Sequence, residues 1–127
     1  MQHFKQNITN IPTYLDGTFK LFAIVQDNGT FPIEKIKEIP NKEMNYNDLS
    51  ISDKLKYDLS QRSSNVYKKI RIPQTREITS LNVLKLENAF FHVYNAYHFT
   101  NNEGYPETDL TLEEYPNPVI EEENQDE

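Results

Sequence analysis

The side chains that most often carry chemistry in proteins are few in this chain and widely spaced. There are three histidines, His3, His92 and His98, and no cysteines among 127 residues. His92 and His98 belong to one apolar run, so in a strand they share a face and lie about 20 Å apart at about 3.3 Å per residue. A single metal ion with bonds of about 2.0–2.1 Å cannot bridge that distance. We therefore expect no metal site.

Motifs for nucleophilic catalysis and for phosphate binding are also missing. The serines do not stand in a GxSxG context, and no histidine is close to one in sequence. The three glycines, Gly17, Gly29 and Gly104, are far apart, so they cannot form a phosphate-binding loop. We therefore predict that the protein is not an enzyme and uses no cofactor.

The acidic charge is concentrated at the end of the sequence. The formal net charge is −7, from 20 acidic and 13 basic residues. Pro116 and Pro118 precede an acidic tail and disfavour strand pairing, so we expect the domain to end near Tyr115. The tail is interpreted either as a solvated end or as an arm that docks on a basic neighbour. Its acidic residues are Glu121, Glu122, Glu123, Asp126 and Glu127.

One basic cluster lies near the middle of the chain, beside Tyr67. It consists of Lys68, Lys69, Arg71 and Arg76. Three interpretations stay open: a solvated strand face, a surface that pairs with acidic protein, or a contact with a nucleic-acid strand. The overall acidity disfavours nucleic acid as the main partner.

Alternating apolar and polar runs indicate strands over much of the chain. These runs are Thr18–Val25, Asn65–Ile72, Ser80–Leu86, Ala89–Phe99 and Thr108–Glu113. Glu87-Asn88 joins two of them as a hairpin, and Phe31–Ile39 is a further strand or an irregular edge. The pattern predicts a mainly β fold, a small antiparallel barrel or sandwich of about five or six strands. The expected core residues are Val83, Leu86, Val93, Tyr97, Leu110 and Leu112.

The remaining segments divide the chain into one domain with appendages. We expect residues 1–15 to form an arm, residues 16–115 the barrel and residues 116–127 the tail. Within the barrel, the polar residues 41–64 form a long inserted loop. A helix from Ser52 to Gln61 is predicted there, because Ser52 is a good N-cap and Leu55 and Leu59 share one face.

The second half of the chain resembles the head-closure, or stopper, proteins of long-tailed bacteriophages. The resemblance lies in the strand VYKKIRIPQTREI (Val66–Ile78), the hairpin SLNVLKLENAFFHVYNAYHF (Ser80–Phe99) and the later TDLTLE. Ile70-Arg71-Ile72 matches the family's K-I-R or R-I-R core, and Phe91–Asn95 matches its return strand. The chain departs from its relatives in having no tryptophan.

The resemblance implies a small β-barrel with a long inserted loop and a structural task in the virion. Such proteins form a homo-oligomeric ring, of roughly sixfold or twelvefold symmetry, below the portal and adaptor. The ring closes the channel after DNA packaging and offers the tail a platform. The partners would be the portal or adaptor ring, tail proteins and the packaged DNA in the channel, with no membrane. The protein would reside at the head–tail junction, and in the host cytoplasm during assembly.

The inserted loop is the part that closes the lumen in that family. Here it would supply a gate segment with the candidate residues Asn45, Asp48, Ser52, Lys54, Lys56 and Arg62. Other interpretations remain: a tail terminator, a mostly helical adaptor, or a protein-binding module that is not viral.

Overall fold

The structure is a computed structural model that describes residues 11–26, 33–62 and 65–121. Within these ranges the chain forms seven strands and one helix. The elements are β1 (Gly17–Gln26), β2 (Glu34–Glu38), β3 (Met44–Leu49), α1 (Asp53–Ser60), β4 (Tyr67–Pro73), β5 (Asn82–Leu86), β6 (Ala89–Thr100) and β7 (Pro106–Glu114). The prediction of a mainly β fold with one short helix is confirmed.

Six antiparallel strands close into a barrel. Their order is β1-β3-β4-β7-β6-β5, and β5 pairs again with β1. The closure depends on the length of β1, which pairs with β3 through Gly17–Phe19 and with β5 through Phe19–Ala23. The far end of β1, Phe22–Gln26, pairs with β2. β2 is therefore a seventh strand outside the closed barrel.

The barrel interior is filled by the inward side chains of the alternating strands. Five of the six predicted core residues are at most 3% exposed: Val83, Leu86, Val93, Leu110 and Leu112. A second, smaller cluster lies where β2 covers β1 and joins Phe22, Ile36 and Val83. The strand faces that the period-two pattern indicated as apolar are thus the faces that are buried, as the hydrophobic effect requires.

The prediction that Tyr97 lies in the core is wrong, because its side chain is 60% exposed. The ladder between β6 and β7 skips Tyr94, with a register shift between Val93 and Asn95. Such a bulge adds one residue to β6, so every later side chain changes face. Ala96 packs against the core in consequence, and Tyr97 lies on the outer surface.

The hairpin between β5 and β6 is confirmed, with Leu86 paired to Ala89. Its two turn residues both have positive φ, 50° at Glu87 and 74° at Asn88. This is the backbone of a type I′ turn, whose twist matches that of the two strands. Asn tolerates the left-handed region better than most residues, which explains its place there.

The predicted inserted loop, residues 41–64, is shorter than expected because β3 occupies its first part. Tyr46 in β3 is fully buried, and its ring lies over Gly17, where a Cβ atom would come within 2.5 Å of the Tyr46 hydroxyl oxygen. Met44 and Tyr46 alternate with asparagines as strand residues do, but the run is short and Asn and Asp are depleted in strands, so the strand was not predicted from the sequence. The excursion from the barrel therefore runs only from residue 50 to residue 66.

The predicted helix is present as α1. Ser52 is its N-cap, and the Ser52 hydroxyl oxygen accepts a hydrogen bond of 3.2 Å from the Leu55 N–H. Asp53 in the first turn interacts favourably with the helix dipole. Leu59 is 3% exposed, whereas most other side chains of the helix are exposed. The helix is thus held by one narrow apolar edge.

The chain continues along the fold beyond Tyr115, the predicted end of the domain. Ile36 of β2 forms a parallel bridge with Ile120. The Ile36 N–H donates to the Val119 carbonyl at 2.9 Å, and the Glu121 N–H donates to the Ile36 carbonyl at 2.8 Å. Pro116 and Pro118 lack N–H groups. The Val119 carbonyl and the Glu121 N–H come after them in the chain and still pair with Ile36. The acidic residues Glu122, Glu123, Asp126 and Glu127 lie outside the described residues, as do residues 1–10 of the predicted arm.

Candidate functional site: a groove on the outer barrel wall

The outer wall formed by β4, β7 and β6 carries polar and aromatic side chains in register. They form two rows across the strands, Lys69–Thr111–Asn95 and Arg71–Asp109–Tyr97. The alternate residues of the same strands, among them Ile70 and Leu110, point into the barrel and are fully buried. The two rows therefore make one continuous outer surface.

The helix α1 lies alongside this wall. Leu55 lines a groove together with side chains of all three strands. The Arg62 guanidinium, just beyond the helix, lies 5.0 Å from the centre of the Tyr94 ring. Leu59 is one turn beyond Leu55 on the same edge of the helix and is buried. The helix therefore faces the barrel and does not project away from it.

The groove between helix and wall has a volume of about 530 Å³. Its lining residues are Leu55, Lys69, Tyr94, Asn95, Tyr97, Asp109 and Thr111. Sequence reasoning found only Lys69 among the polar lining residues. Tyr97 was assigned to the core, and the bulge that turns it outward has no recognisable signal in the sequence. Exposed tyrosine rings such as those of Tyr94 and Tyr97 are enriched where proteins bind each other, whereas lysine and aspartate are depleted there.

Arg71 and Asp109 form the best-defined ion pair of the wall. Arg71 Nε lies 2.7 Å from Asp109 Oδ1, and Arg71 Nη2 lies 2.9 Å from Asp109 Oδ2. The hydrogen bond with Asp109 raises the pKa of Arg71. The guanidinium also lies 4.9 Å from the centre of the Phe99 ring, and Phe99 stacks with Tyr97 at 5.5 Å. Arg71 therefore serves to organise this wall.

The four predicted basic residues do not form one basic face. Lys69 and Arg71 lie on the outer wall, but Lys68 is on the other side of β4 because side chains alternate along a strand. Lys68 Nζ pairs with Asp48 at 2.8 Å. Arg76 lies after β4, on the exposed connection to β5. Of the four residues, Lys69 lines the groove and Arg71 lies in the neighbouring row of the same wall.

The residues of the predicted gate segment are likewise divided. Asn45 and Asp48 belong to β3 in the barrel, where the Asn45 side-chain oxygen accepts a hydrogen bond of 2.9 Å from the Thr18 hydroxyl. Ser52 caps α1, and Lys54 and Lys56 are exposed on it. Arg62 contacts Tyr94. The residues of the predicted gate that belong to the excursion outside the barrel are therefore Ser52, Lys54, Lys56 and Arg62.

The segment before β1 is fastened to the opposite end of the same wall. The Tyr14 hydroxyl donates to Glu107 Oε2 at 2.7 Å, and the Asn101 amide donates to Glu107 Oε1 at 3.1 Å. Burial and the bond to Glu107 raise the pKa of Tyr14. Glu107 is 4% exposed, so this carboxylate is a buried acceptor with its partners in place. The contact holds the end of the predicted arm against the barrel.

His92 and His98 lie on opposite faces of β6, which corrects the expectation that they share one. The bulge at Tyr94 separates them. His92 Nε2 lies 3.0 Å from Glu113 on the outer wall, and His98 Nδ1 lies 2.7 Å from the buried Thr108 hydroxyl. Among the described residues, no group of three metal-binding side chains is assembled.

Comparison of the chain with protein-family models, with curated proteins and with solved structures gave no match. In the described part of the chain, no helix is long and apolar enough to cross a membrane.

Proposed function

We propose that this protein is a head–tail connector of a tailed phage, of the head-closure type, with a structural and non-catalytic role. Copies of the chain form a ring below the portal and adaptor. The ring closes the DNA channel after packaging and offers the tail its attachment platform. The proposal places the protein at the head–tail junction of the virion.

The closed barrel with one helix-bearing excursion, residues 50–66, is the observation that supports this proposal best. The barrel strands hydrogen-bond to each other all round, so the excursion is not needed to close the sheet. β3 and β4 pair directly, with Leu49 opposite Lys69, on either side of it. The excursion is therefore available for contacts with other molecules in an assembly.

Gating would require α1 to leave the outer wall. In the single chain the helix is held there chiefly by Leu59, and burying one leucine side chain contributes about 1.5–3 kcal/mol. Contacts with a neighbouring copy can offset a free energy of that size. The proposal thus includes a movement of α1 between the free chain and the ring.

Other connector proteins and a non-viral module are the alternatives. A mostly helical adaptor fits poorly with a chain that forms seven strands and one helix in its described part. A tail terminator would also be strand-rich, and its position in the particle would distinguish it. A protein-binding module is favoured by the groove, where Tyr94 and Tyr97 are 38% and 60% exposed.

The oligomeric state tests the proposal directly. The full chain is analysed by light scattering and negative-stain electron microscopy, alone and mixed with a purified portal–adaptor complex from the phage that encodes it. We expect rings with a central channel that bind the adaptor face. A chain that stays monomeric under both conditions would contradict the proposal, and binding to the tail end only would indicate a terminator.

A further inference from the structure

The outer edge of β2 holds a segment that the closed barrel does not need. In the ladder with β1, alternate residues of β2 turn their backbone groups outward. Ile36 is one of these, and its N–H and carbonyl both pair with the segment Val119–Glu121. The segment thus adds a single parallel β-bridge at the edge of the fold.

The attachment of this segment to its own barrel is slight. Its backbone pairing consists of one bridge and two hydrogen bonds, both made by Ile36. Val119 and Ile120 each keep 45% of their surface exposed. Each hydrogen bond contributes only about 0.5–1.5 kcal/mol net. Apolar surface of Val119 and Ile120 therefore remains exposed, and a second molecule can cover it.

The connection to the segment can serve as a hinge. Tyr115 is held by a 2.8 Å hydrogen bond from its N–H to the Phe90 carbonyl. Residues 116–118 then reach up to about 10 Å when extended. Pro116 and Pro118 stiffen this stretch, and neither has an N–H for a ladder. The segment can therefore be carried to an adjacent molecule without unfolding β7.

Charge is complementary on one face of the two segments only, because β2 also carries Glu34 and Glu38 on the face of Ile36. Lys35 and Lys37 alternate with Ile36 along β2, so their side chains share the face opposite to it. On the docked segment, Glu121 follows Ile120 and is the first of three consecutive glutamates in the sequence. All copies have the same sequence. The C-terminal segment of one copy can therefore make with β2 of another copy the pairing that it makes with its own β2.

We propose that Val119–Glu121 of one copy pairs with β2 of the next copy, so that neighbouring molecules are linked by exchanged C-terminal strands. An exposed sheet edge is a ready template for a strand from another chain. Each copy both gives a strand and receives one, and such a head-to-tail contact generates a ring when the rotation closes. The inference rests on the proposed ring and names the contact that joins its members.

Cysteine cross-linking tests the exchange, since the chain has no cysteine of its own. Lys37 and Glu121 are the residues that follow the bridged pair on each segment. Lys37→Cys and Glu121→Cys are made in separate chains, one enlarged by a tag, and the two are mixed under assembly conditions with a short thiol cross-linker. Exchange predicts a cross-linked product with one chain of each size. Lys37→Cys mixed with Glu103→Cys, on the β6–β7 loop, is the matched control and should give none.

The double variant Lys37→Cys/Glu121→Cys separates the two ways of pairing. If strands are exchanged, cross-linking of assembled protein should give covalent multimers. If assembled rings give internally linked monomers and no multimers, the exchange is overturned. Rings without mixed cross-links would refute the exchange and leave the proposed connector standing. A chain that never assembles would refute both.

A pair of truncations gives an independent measurement. Ending the chain at Pro118 removes the pairing segment, and ending it at Glu121 removes only the residues after it. We expect the first truncation to abolish assembly while melting cooperatively as a folded monomer. The second should still assemble. Normal assembly of the chain ending at Pro118 would overturn the proposal.

Discussion

Arg71 and Asp109 face each other across β4 and β7 and form a two-pronged ion pair on the outer wall, with nitrogen–oxygen distances of 2.7 and 2.9 Å. The Asp109 residue is 8% exposed. The pair joins the central strand of the wall to its neighbour and lies at the edge of the groove. Its geometry makes it a stabilising contact and not a mobile surface charge.

Asp109→Asn should reduce the free energy of unfolding by about 1–3 kcal/mol, because a hydrogen-bonded charge is lost from a half-buried guanidinium. Urea unfolding at pH 7 measures the change. Lys42→Ala is the matched control, since Lys42 pairs with Glu77 at 2.9 Å on the exposed surface. The control should cost less than about 1 kcal/mol. Equal effects of the two substitutions would show that the wall pair is no more than a surface contact.

The bulge in β6 is tested by placing the same charge at adjacent positions. Ala96→Asp puts a carboxylate at a partly buried position against the core and should strongly destabilise the fold, since burial of an unpaired charge costs several kcal/mol. Val93→Asp, at a residue 3% exposed, should do the same. Tyr97→Asp should leave a folded protein. Thermal melting followed by circular dichroism distinguishes them, and a folded Ala96→Asp with an unfolded Tyr97→Asp would show that the facing is reversed.

Shortening the excursion should leave the barrel intact. Replacement of residues 51–62 by a short Gly/Ser linker removes α1 but keeps β3 and β4, whose pairing brings the ends together. We expect strand-type circular dichroism and a loss of about 1.5–3 kcal/mol from the unburied Leu59. A variant that also replaces 45–49 should fail to fold, because it deletes Tyr46 from the core. If the shorter replacement also fails to fold, α1 is part of the structural core.

The shortened chain also tests the gate. In a phage that carries it in place of the full chain, we expect heads to fill, to lose DNA and to join few tails. Counting full heads by electron microscopy measures this. Stable full heads that join tails normally would contradict a gating role for residues 51–62.

Glu113 gives the stability a defined pH dependence. Burial alone would raise the pKa of Glu113, but the hydrogen bond from Asn65 and the charge and hydrogen bond of His92 bring it below its ordinary value. A lowered folded-state pKa stabilises the protein above the unfolded value, and this contribution is lost as the pH falls through the folded value. Wild type should therefore exceed Glu113→Gln in stability at pH 7, and the difference should shrink below about pH 4.5.

Urea unfolding at several pH values between 7 and 3 measures that difference. Asn65→Ala removes the donor to Glu113 at 2.9 Å and keeps the carboxylate. The stability of Asn65→Ala should therefore depend less on pH than that of wild type. A gap between wild type and Glu113→Gln that stays constant over the whole range would show that Glu113 stabilises by shape and not by charge.

The sequence by itself determined the features that depend on neighbouring residues. Alternation located the strands, Glu87-Asn88 indicated the hairpin, and Ser52 marked the start of the helix, because facing, turns and caps are decided within a few residues. These signals were sufficient for a small β-barrel with one short helix. They also placed Leu110 and Leu112 in the core.

Only the tertiary structure decided the features that depend on distant pairing. The skipped Tyr94 reversed the faces of Tyr97 and His98, and β3 joined the barrel although its asparagines and aspartate are residue types depleted in strands. The groove exists because these shifted side chains meet α1 across the outer wall. Strand closure, register shifts and the docking of Val119–Glu121 on β2 are set by partners far away in the chain, so no local pattern of residues encodes them.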